Sequence, residues 1–442
     1  MKKIQIGVLG AYRGTSMINY CERADNAEVV AICDKDPDAL RFQQEHLKDD
    51  RISYYDRFED FINHDMDAVV LANYANEHAP FAIRAMNKGL HVFSEVLPCQ
   101  TMKEAVALIE TVEQTGMIYA YGENFCYMSA PYEMKKLYQK GKIGELEYAE
   151  CEYVHNCQPI WHAITYGQRE HWRNNMYSTF YCTHSLGPII HATGLRPVSV
   201  TGFEGTQTGR KLQVGSKSGS FGIEMVTLEN GAIIKSIHGG LYKNNVWYCM
   251  YGSKGVMESG RENVENSGCV DQIHLNTDDY EGGYDTAKKE CYRPTRGMED
   301  QIEGYGHGGS DFYSMYHFIE KIKGNPKADT IDVYEALDMF LPGMFAYRSI
   351  LAGGIPMNIP NLRNQAERDR WRNDTACTDP KVAGDMLWPT FSKGTPEIED
   401  GVYEHMKALW EQEAQNDTGY RHAALHQSSK KQKDSDEAGA TQ

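Results

Sequence analysis

The 442-residue chain carries 45 basic against 62 acidic residues, a formal charge of −17, with 41% hydrophobic and 24% charged residues. This composition excludes a disordered or collagen-like chain, and an acidic surplus with no basic cluster to reverse it locally argues against nucleic acid and anionic membranes as partners. No run approaches the roughly 20 apolar residues that span a bilayer, and the length exceeds what one core usually holds, so two lobes are expected.

In chain order, short β-rich runs at 4–9, 28–33, 67–71, 91–94 and 117–121, with a weaker one near Ile52, alternate with helical patterns at 37–47, 77–88 and 102–115. Such alternation predicts a parallel sheet with crossover helices, a doubly wound α/β domain over 1–125. The last of these helices opens on Thr101 with Glu104 three residues on, a capping-box spacing. From Val198 the rhythm changes to strands joined by tight turns: 221–228 and 232–237 flank Asn230-Gly231, and 246–251 and 256–259 flank Ser253-Lys254-Gly255. Helical patterns return at 311–323 and 333–351. The second domain, 126–426, is therefore expected to be α+β on a large, mainly antiparallel open sheet, and the polar segment 427–442 reads as a disordered tail.

The eleven cysteines are scattered, with no C-x-x-C pair, so neither a disulfide framework nor a zinc ribbon is expected, and a reducing cytoplasm fits. The apolar run after Met1, Lys2 and Lys3 is too short for a signal peptide. Cys151, His155 and Cys157 would share one face of an extended strand, but thiolate sites usually come as close pairs with a second cluster, so no metal is expected.

The first strand runs into Gly7-Val8-Leu9-Gly10-Ala11-Tyr12-Arg13-Gly14 and then an apolar helix start at Met17 and Ile18. Glycines there let backbone approach a pyrophosphate, and a helix N-terminus supplies free N–H groups. Tyr12 stands where a second glycine is usual. The second strand ends at Asp34, 24 residues after Gly10, where a carboxylate can accept from the adenosine ribose hydroxyls and repel a 2′-phosphate, favouring NAD over NADP. The alternative is an exposed turn acid in Asp34-Lys35-Asp36-Pro37. Asn73, His78, Glu95 and Glu123, at and beyond the ends of later strands, complete the candidate cofactor contacts with Gly10, Tyr12, Arg13, Gly14 and Asp34.

The fifth strand closes on Glu95-Val96-Leu97-Pro98 and the sixth on Gly122-Glu123-Asn124-Phe125. With the glycine turn and the α+β second lobe, this resembles the Gfo/Idh/MocA oxidoreductases, with a Rossmann domain in front. In most of that superfamily the fifth-strand motif is Glu-Lys-Pro and its lysine assists proton transfer; Val96 and Leu97 stand there instead. Further on come Tyr153-Val154-His155, Tyr181-Cys182-Thr183-His184-Ser185-Leu186-Gly187-Pro188, Gly306-His307-Gly308-Gly309-Ser310-Asp311 and Asp332-Val333-Tyr334. Together they are similar to the NAD-dependent α-N-acetylgalactosaminidase branch of glycoside hydrolases, which also lacks the lysine.

That resemblance implies that Tyr153, His155, Tyr181 and His184 line a site beside the nicotinamide and the sugar, that a ring hydroxyl, at C3, is oxidised, and that elimination, hydration and re-reduction then cleave the glycoside without net redox change. It also implies a homo-oligomer formed through the open sheet face. Such a cycle needs bases near O3 and C2 rather than paired carboxylates. His184 follows Tyr181 by three residues, so on one helical turn the two would face the same way and exchange protons with sugar hydroxyls. Trp172 and Arg173 are candidates to stack on and bind the sugar, with core packing as the alternative; His307 is a further candidate, with a simple helix entry as its alternative. The other functional readings are a sugar or polyol dehydrogenase that releases NADH, using His184 in place of the lysine, and a catalytically idle binding protein.

Overall fold

The computed structural model describes residues 2–261, 270–278, 287–303 and 305–416; the tail expected at 427–442 lies outside them. The described chain forms two compact units, one of residues 2–122, 300–333 and 411–416, the other of 123–299 and 334–410.

In the first unit the order is β1 (Ile4–Leu9), α1 (Thr15–Arg23), β2 (Ala27–Cys33), α2 (Pro37–Leu47), β3 (Ser53–Tyr55), α3 (Phe58–Phe61), β4 (Ala68–Leu71), α4 (His78–Asn87), β5 (His91–Ser94), α5 (Met102–Thr115) and β6 (Tyr119–Tyr121). The six strands pair in parallel in the order β3-β2-β1-β4-β5-β6. Reversal of direction beside β1 is the doubly wound pattern, which puts ligand sites at the carboxyl ends of the strands. Local chemistry sets the helix ends. Asp36 accepts from Asp38 N, with Pro37 at the first helical position, and Thr101 accepts from Glu104 N while Gly116 closes α5 in the left-handed conformation.

The helix Ser310–Ile322 belongs to this first unit, a correction to the single cut at 125. Its apolar face decides the matter: Phe312 meets Tyr20 of α1 at 5.4 Å and Phe318 meets Phe93 of β5 at 5.7 Å between ring centroids.

The second unit carries α6 (Ser129–Gln139), β7 (Leu146–Val154), two one-turn helices α7 (Trp161–Ile164) and α8 (Trp172–Asn175), then α9 (Thr183–Thr193), β8 (Pro197–Glu204), α10 (Gly209–Leu212), β9 (Phe221–Leu228), β10 (Ile233–Gly239), β11 (Asn245–Gly252), β12 (Gly255–Ser259), β13 (Ile273–Asp278), β14 (Ala287–Tyr292) and β15 (Met357–Asn358). Its nine strands run β14-β13-β12-β11-β7-β10-β9-β8-β15, antiparallel except for the β7–β10 pair. The period-2 pattern turns Ala149, Cys151, Ile234, Ser236, Tyr248 and Met250 inward. Leu186, Ile189 and Ile190 of α9 are buried with them, so α9 and the histidine on its first turn ride on the sheet. Among the described residues no helix is long and apolar enough to cross a membrane.

Candidate functional site

The glycine turn of the first unit is shaped by what its glycines exclude. A Cβ on Gly10, whose φ is +99°, would stand 2.4 Å from Ala72 O and 2.7 Å from Asn73 N, and one on Gly14 would stand 2.3 Å from Gly10 O. Gly14 is also the N-cap of α1 and brings no side chain to its amides. Asp34, beyond β2, accepts from Ala11 N at 2.6 Å and from Asp36 N at 2.8 Å, which ties the turn to the acid that would meet a ribose. Burial raises its carboxyl against those two bonds. Tyr12 turns toward the same acidic corner: its hydroxyl donates to Asp36 at 2.8 Å, and only 9% of the residue is exposed. Asn73 donates to Glu77, while its Oδ1 is buried without a hydrogen-bond partner among the described residues. His78 is buried with Nδ1 2.9 Å from Leu97 O, and burial pushes it down to about 4, so its ring is neutral. A tight glycine turn, an open helix start, a carboxylate at the end of β2 and the orphaned Asn73 oxygen fit a dinucleotide.

Arg13 is already engaged. Its guanidinium donates to Glu95 at 2.6 Å and to both oxygens of Asp311 at 2.9 Å. Burial would raise the Asp311 carboxyl, but Arg13 and His307 hold it well below the usual range. His307 opens a left-handed run that continues through Gly308 and Gly309, and its Nδ1 is 3.1 Å from Asp311, so this histidine sits in the first unit, on the Arg13 network, and not in the second lobe as the sequence pattern suggested.

The second unit brings together Tyr153, His155, Tyr181 and His184. His184 lies in ring contact with Tyr153 at 4.7 Å, Tyr181 at 5.1 Å and Phe125 at 4.4 Å. Tyr153, at the end of β7, shares a 3.1 Å hydrogen bond with His155 Nδ1, and burial pushes its phenol well above its ordinary value. Tyr181 is not on a helical turn with His184: α9 starts at Thr183, and the bend ahead of it turns the phenol back onto the imidazole. Trp172 stacks on Tyr181 at 6.5 Å, and the Arg173 guanidinium lies over Trp172 at 4.4 Å and Tyr181 at 5.4 Å, so both candidates join the wall through its rings.

What sequence reasoning missed is the partner of His184. Glu123, grouped there with the cofactor contacts, is fully buried, and its Oε1 lies 2.6 Å from His184 Nδ1. Tyr248 donates to His184 O at 2.5 Å and fixes the backbone behind it. A carboxylate on Nδ1 holds the tautomer that leaves Nε2 as a base. The motif position flagged Glu123, but nothing local paired it with a residue 61 positions on. Among the described residues no group of three or more histidine, cysteine or acidic side chains is placed to hold a metal ion.

With these two constellations in view, comparison with known proteins decides the family. Residues 4–123 match the Gfo/Idh/MocA oxidoreductase family, NAD-binding Rossmann fold, and residues 132–372, more than half of the chain, match the C-terminal domain of glycosyl hydrolase 109. The chain belongs to the glycosyl hydrolase 109 family. It is 25% identical over 403 residues to a glycosyl hydrolase family 109 protein of Solibacter usitatus, covering 84% of this chain and 89% of that one. It is 24% identical over 402 residues to an alpha-N-acetylgalactosaminidase of Shewanella oneidensis, covering 83% and 86%. Among solved structures it resembles an Agrobacterium radiobacter oxidoreductase in complex with NAD+, L-tartaric acid and magnesium (TM-score 0.65, 14% identity, 81% of this chain and 99% of that one). It also resembles the scyllo-inositol dehydrogenase of Lactobacillus casei with NAD(H) and scyllo-inositol (TM-score 0.62, 17% identity, 81% and 99%). At such identities these structures share the glycosyl hydrolase 109 chain's fold.

Proposed function

We propose that this glycosyl hydrolase 109 chain is an NAD-dependent glycosidase that cleaves a glycoside by oxidising a ring hydroxyl at C3, eliminating the C1 substituent, adding water and reducing the ketone again. The observation that carries the reading is His184, its Nδ1 held by buried Glu123 and its ring in contact with Tyr153 and Tyr181. That is a proton-transfer group with the lysine of the wider superfamily absent from the Val96-Leu97 stretch.

NAD, when bound, would supply the hydride-accepting and hydride-donating chemistry that the cycle needs at C3. Gly10, Gly14, the start of α1 and Asp34 would hold it, with Asn73 completing the turn. The protein's own work is with protons. His184 Nε2, freed by the Glu123 bond, takes a proton from the sugar; the negative carboxylate stabilises the imidazolium that results. Tyr153 keeps its proton because burial disfavours the phenolate. In contact with His155, it can offer a hydrogen bond, without giving up its proton, where negative charge grows on a sugar oxygen. Tyr181 meets the same imidazole edge to face and completes the aromatic wall. The similarity to an alpha-N-acetylgalactosaminidase supports a sugar substrate, and the family's NAD-binding Rossmann domain supports the cofactor.

The test is incubation with a panel of aryl glycosides in D2O. Phenol release with deuterium entering C2 and no net NADH is expected; accumulating NADH with the glycosidic bond intact would assign a plain dehydrogenase.

A further inference from the structure

The corner where the glycine turn meets the end of β2 holds a second carboxylate beside Asp34. Asp36 follows two residues on, and its N–H donates to Asp34 Oδ1 at 2.8 Å, so the two acids sit on one tight turn. Asp34 gives its other oxygen to Ala11 N at 2.6 Å, which makes it a staple of the glycine turn as well. The Asp36 carboxylate is held at both oxygens. Oδ1 accepts from Asp38 N at 2.9 Å as the N-cap of α2, and Oδ2 accepts from the Tyr12 hydroxyl at 2.8 Å. Tyr12 stands where a second glycine is usual, the position at which such a turn lets backbone come up to a pyrophosphate. Its phenol thus ties the Asp36 carboxylate to the segment along which a dinucleotide would lie.

The cations of this corner are engaged elsewhere. Lys35, between the two acids in the chain, lies with its Nζ 3.6 Å from the centroid of the Tyr74 ring. Arg13 is bound by Glu95 and Asp311, and Arg41 pairs with Asp38 at 3.1 Å. NAD and NADP differ only in a 2′-phosphate on the adenosine ribose, so the charge around that ribose is what separates them. We propose that Asp36, held in place by Tyr12, is the residue that excludes NADP from this chain: a 2′-phosphate on a ribose at Asp34 meets a second carboxylate, with Lys35, Arg13 and Arg41 all committed to other partners. The inference rests on the cofactor reading above and adds the residue that sets its specificity. Such repulsion acts by penalising the wrong partner, so NAD, with hydroxyls alone at that ribose, is unaffected. Removing Asp34 is a different matter, because its loss also releases Ala11 N or Asp36 N and loosens the turn for either dinucleotide.

The experiment is calorimetric titration of the full chain, freed of any carried nucleotide, with NAD+ and with NADP+. NADP+ is expected to bind about 100-fold more weakly, as like charges a few ångströms apart in a partly screened site allow. Asp36→Asn keeps the helix cap and an acceptor for Tyr12 while removing the charge. It is expected to raise NADP+ affinity about tenfold and to hold NAD+ affinity within about twofold. Tyr12→Phe, which frees the carboxylate to turn away, should move the ratio in the same direction by a smaller factor. Asp34→Asn should weaken both dinucleotides and leave NADP+ the poorer ligand. In the unmodified chain, raising NaCl to about 0.5 M should narrow the gap seen at low salt, since screening weakens a repulsion between charges. That arm stands even if a variant fails to fold, judged by its thermal melt. Equal affinity for the two dinucleotides, a gap unmoved by Asp36→Asn, a gap indifferent to salt, or parity reached by Asp34→Asn alone would overturn the proposal. Failure of the cofactor reading shows separately, as no binding of either dinucleotide, and would take the proposal with it.

Discussion

At the scale of single residues, the site depends on which atom of each side chain is already engaged. Glu123 engages His184 Nδ1, and in the proposed mechanism the remaining nitrogen takes the sugar proton, so Glu123→Gln, which keeps the shape and removes the charge, is expected to lower kcat about 100-fold with little change in KM, measured on an aryl glycoside. Arg13 makes a second case. Asp311 is 1% exposed and its pair with Arg13 has no water to replace it, while a third of the arginine side chain is open. Asp311→Asn is therefore expected to lower unfolding stability by about 3 kcal/mol at pH 7, the low end for breaking a buried pair. The sign with pH follows from Asp311 being held below its usual value. Its contribution is complete above about pH 4, near the unfolded carboxyl's value, and is lost as pH falls through the depressed folded one. Urea melts at pH 7 and pH 3 should show a gap between the two proteins that narrows in acid.

At the scale of elements, α9 explains the glycine in the Leu186-Gly187-Pro188 string. A Cβ on Gly187 would stand 2.9 Å from Glu123 Cγ and 3.3 Å from Met339 Sδ, so the glycine makes room for the carboxylate behind His184. Alanine is the better helix former, yet Gly187→Ala is expected to lose about 100-fold in kcat, because a displacement of order 1 Å at a positioning group carries that penalty; NAD affinity, measured by fluorescence titration, should be unchanged. The legibility of the fold also divides here. The expected helices at 37–47 and 102–115 coincide with α2 and α5, because Pro37, Asp36, Thr101 and Gly116 carry their start and stop signals in the local chain. The segment through Asn230-Gly231 joins β9 to β10 as expected, though of the pair only Gly231 takes a positive φ, +89°. What was not legible is non-local. Nothing in 311–323 says that Phe312 and Phe318 will pack on Tyr20 and Phe93, and nothing near Glu123 names His184. Tyr181 was misplaced for a different reason: a spacing of three fits a bend as well as a helical turn.

For the whole molecule, the two units divide the chemistry. The first carries the parallel sheet, the glycine turn and Asp34; the second carries Phe125, Tyr153 and Tyr181 against His184, and Glu123 on its Nδ1. The fold is shared with dehydrogenases, and fold alone does not assign a reaction; the proposed reaction rests instead on the arrangement of Glu123, His184, Tyr153 and Tyr181, in a chain that belongs to glycosyl hydrolase 109. The central claim is a closed redox cycle on a sugar ring. Its most direct measurement is the fate of the C2 hydrogen when the NAD-loaded protein cleaves an aryl glycoside in D2O. The account predicts a product sugar deuterated at C2, phenol released in step with it, and NADH absorbance at the end equal to that at the start. Cleavage that leaves the C2 hydrogen in place would contradict it.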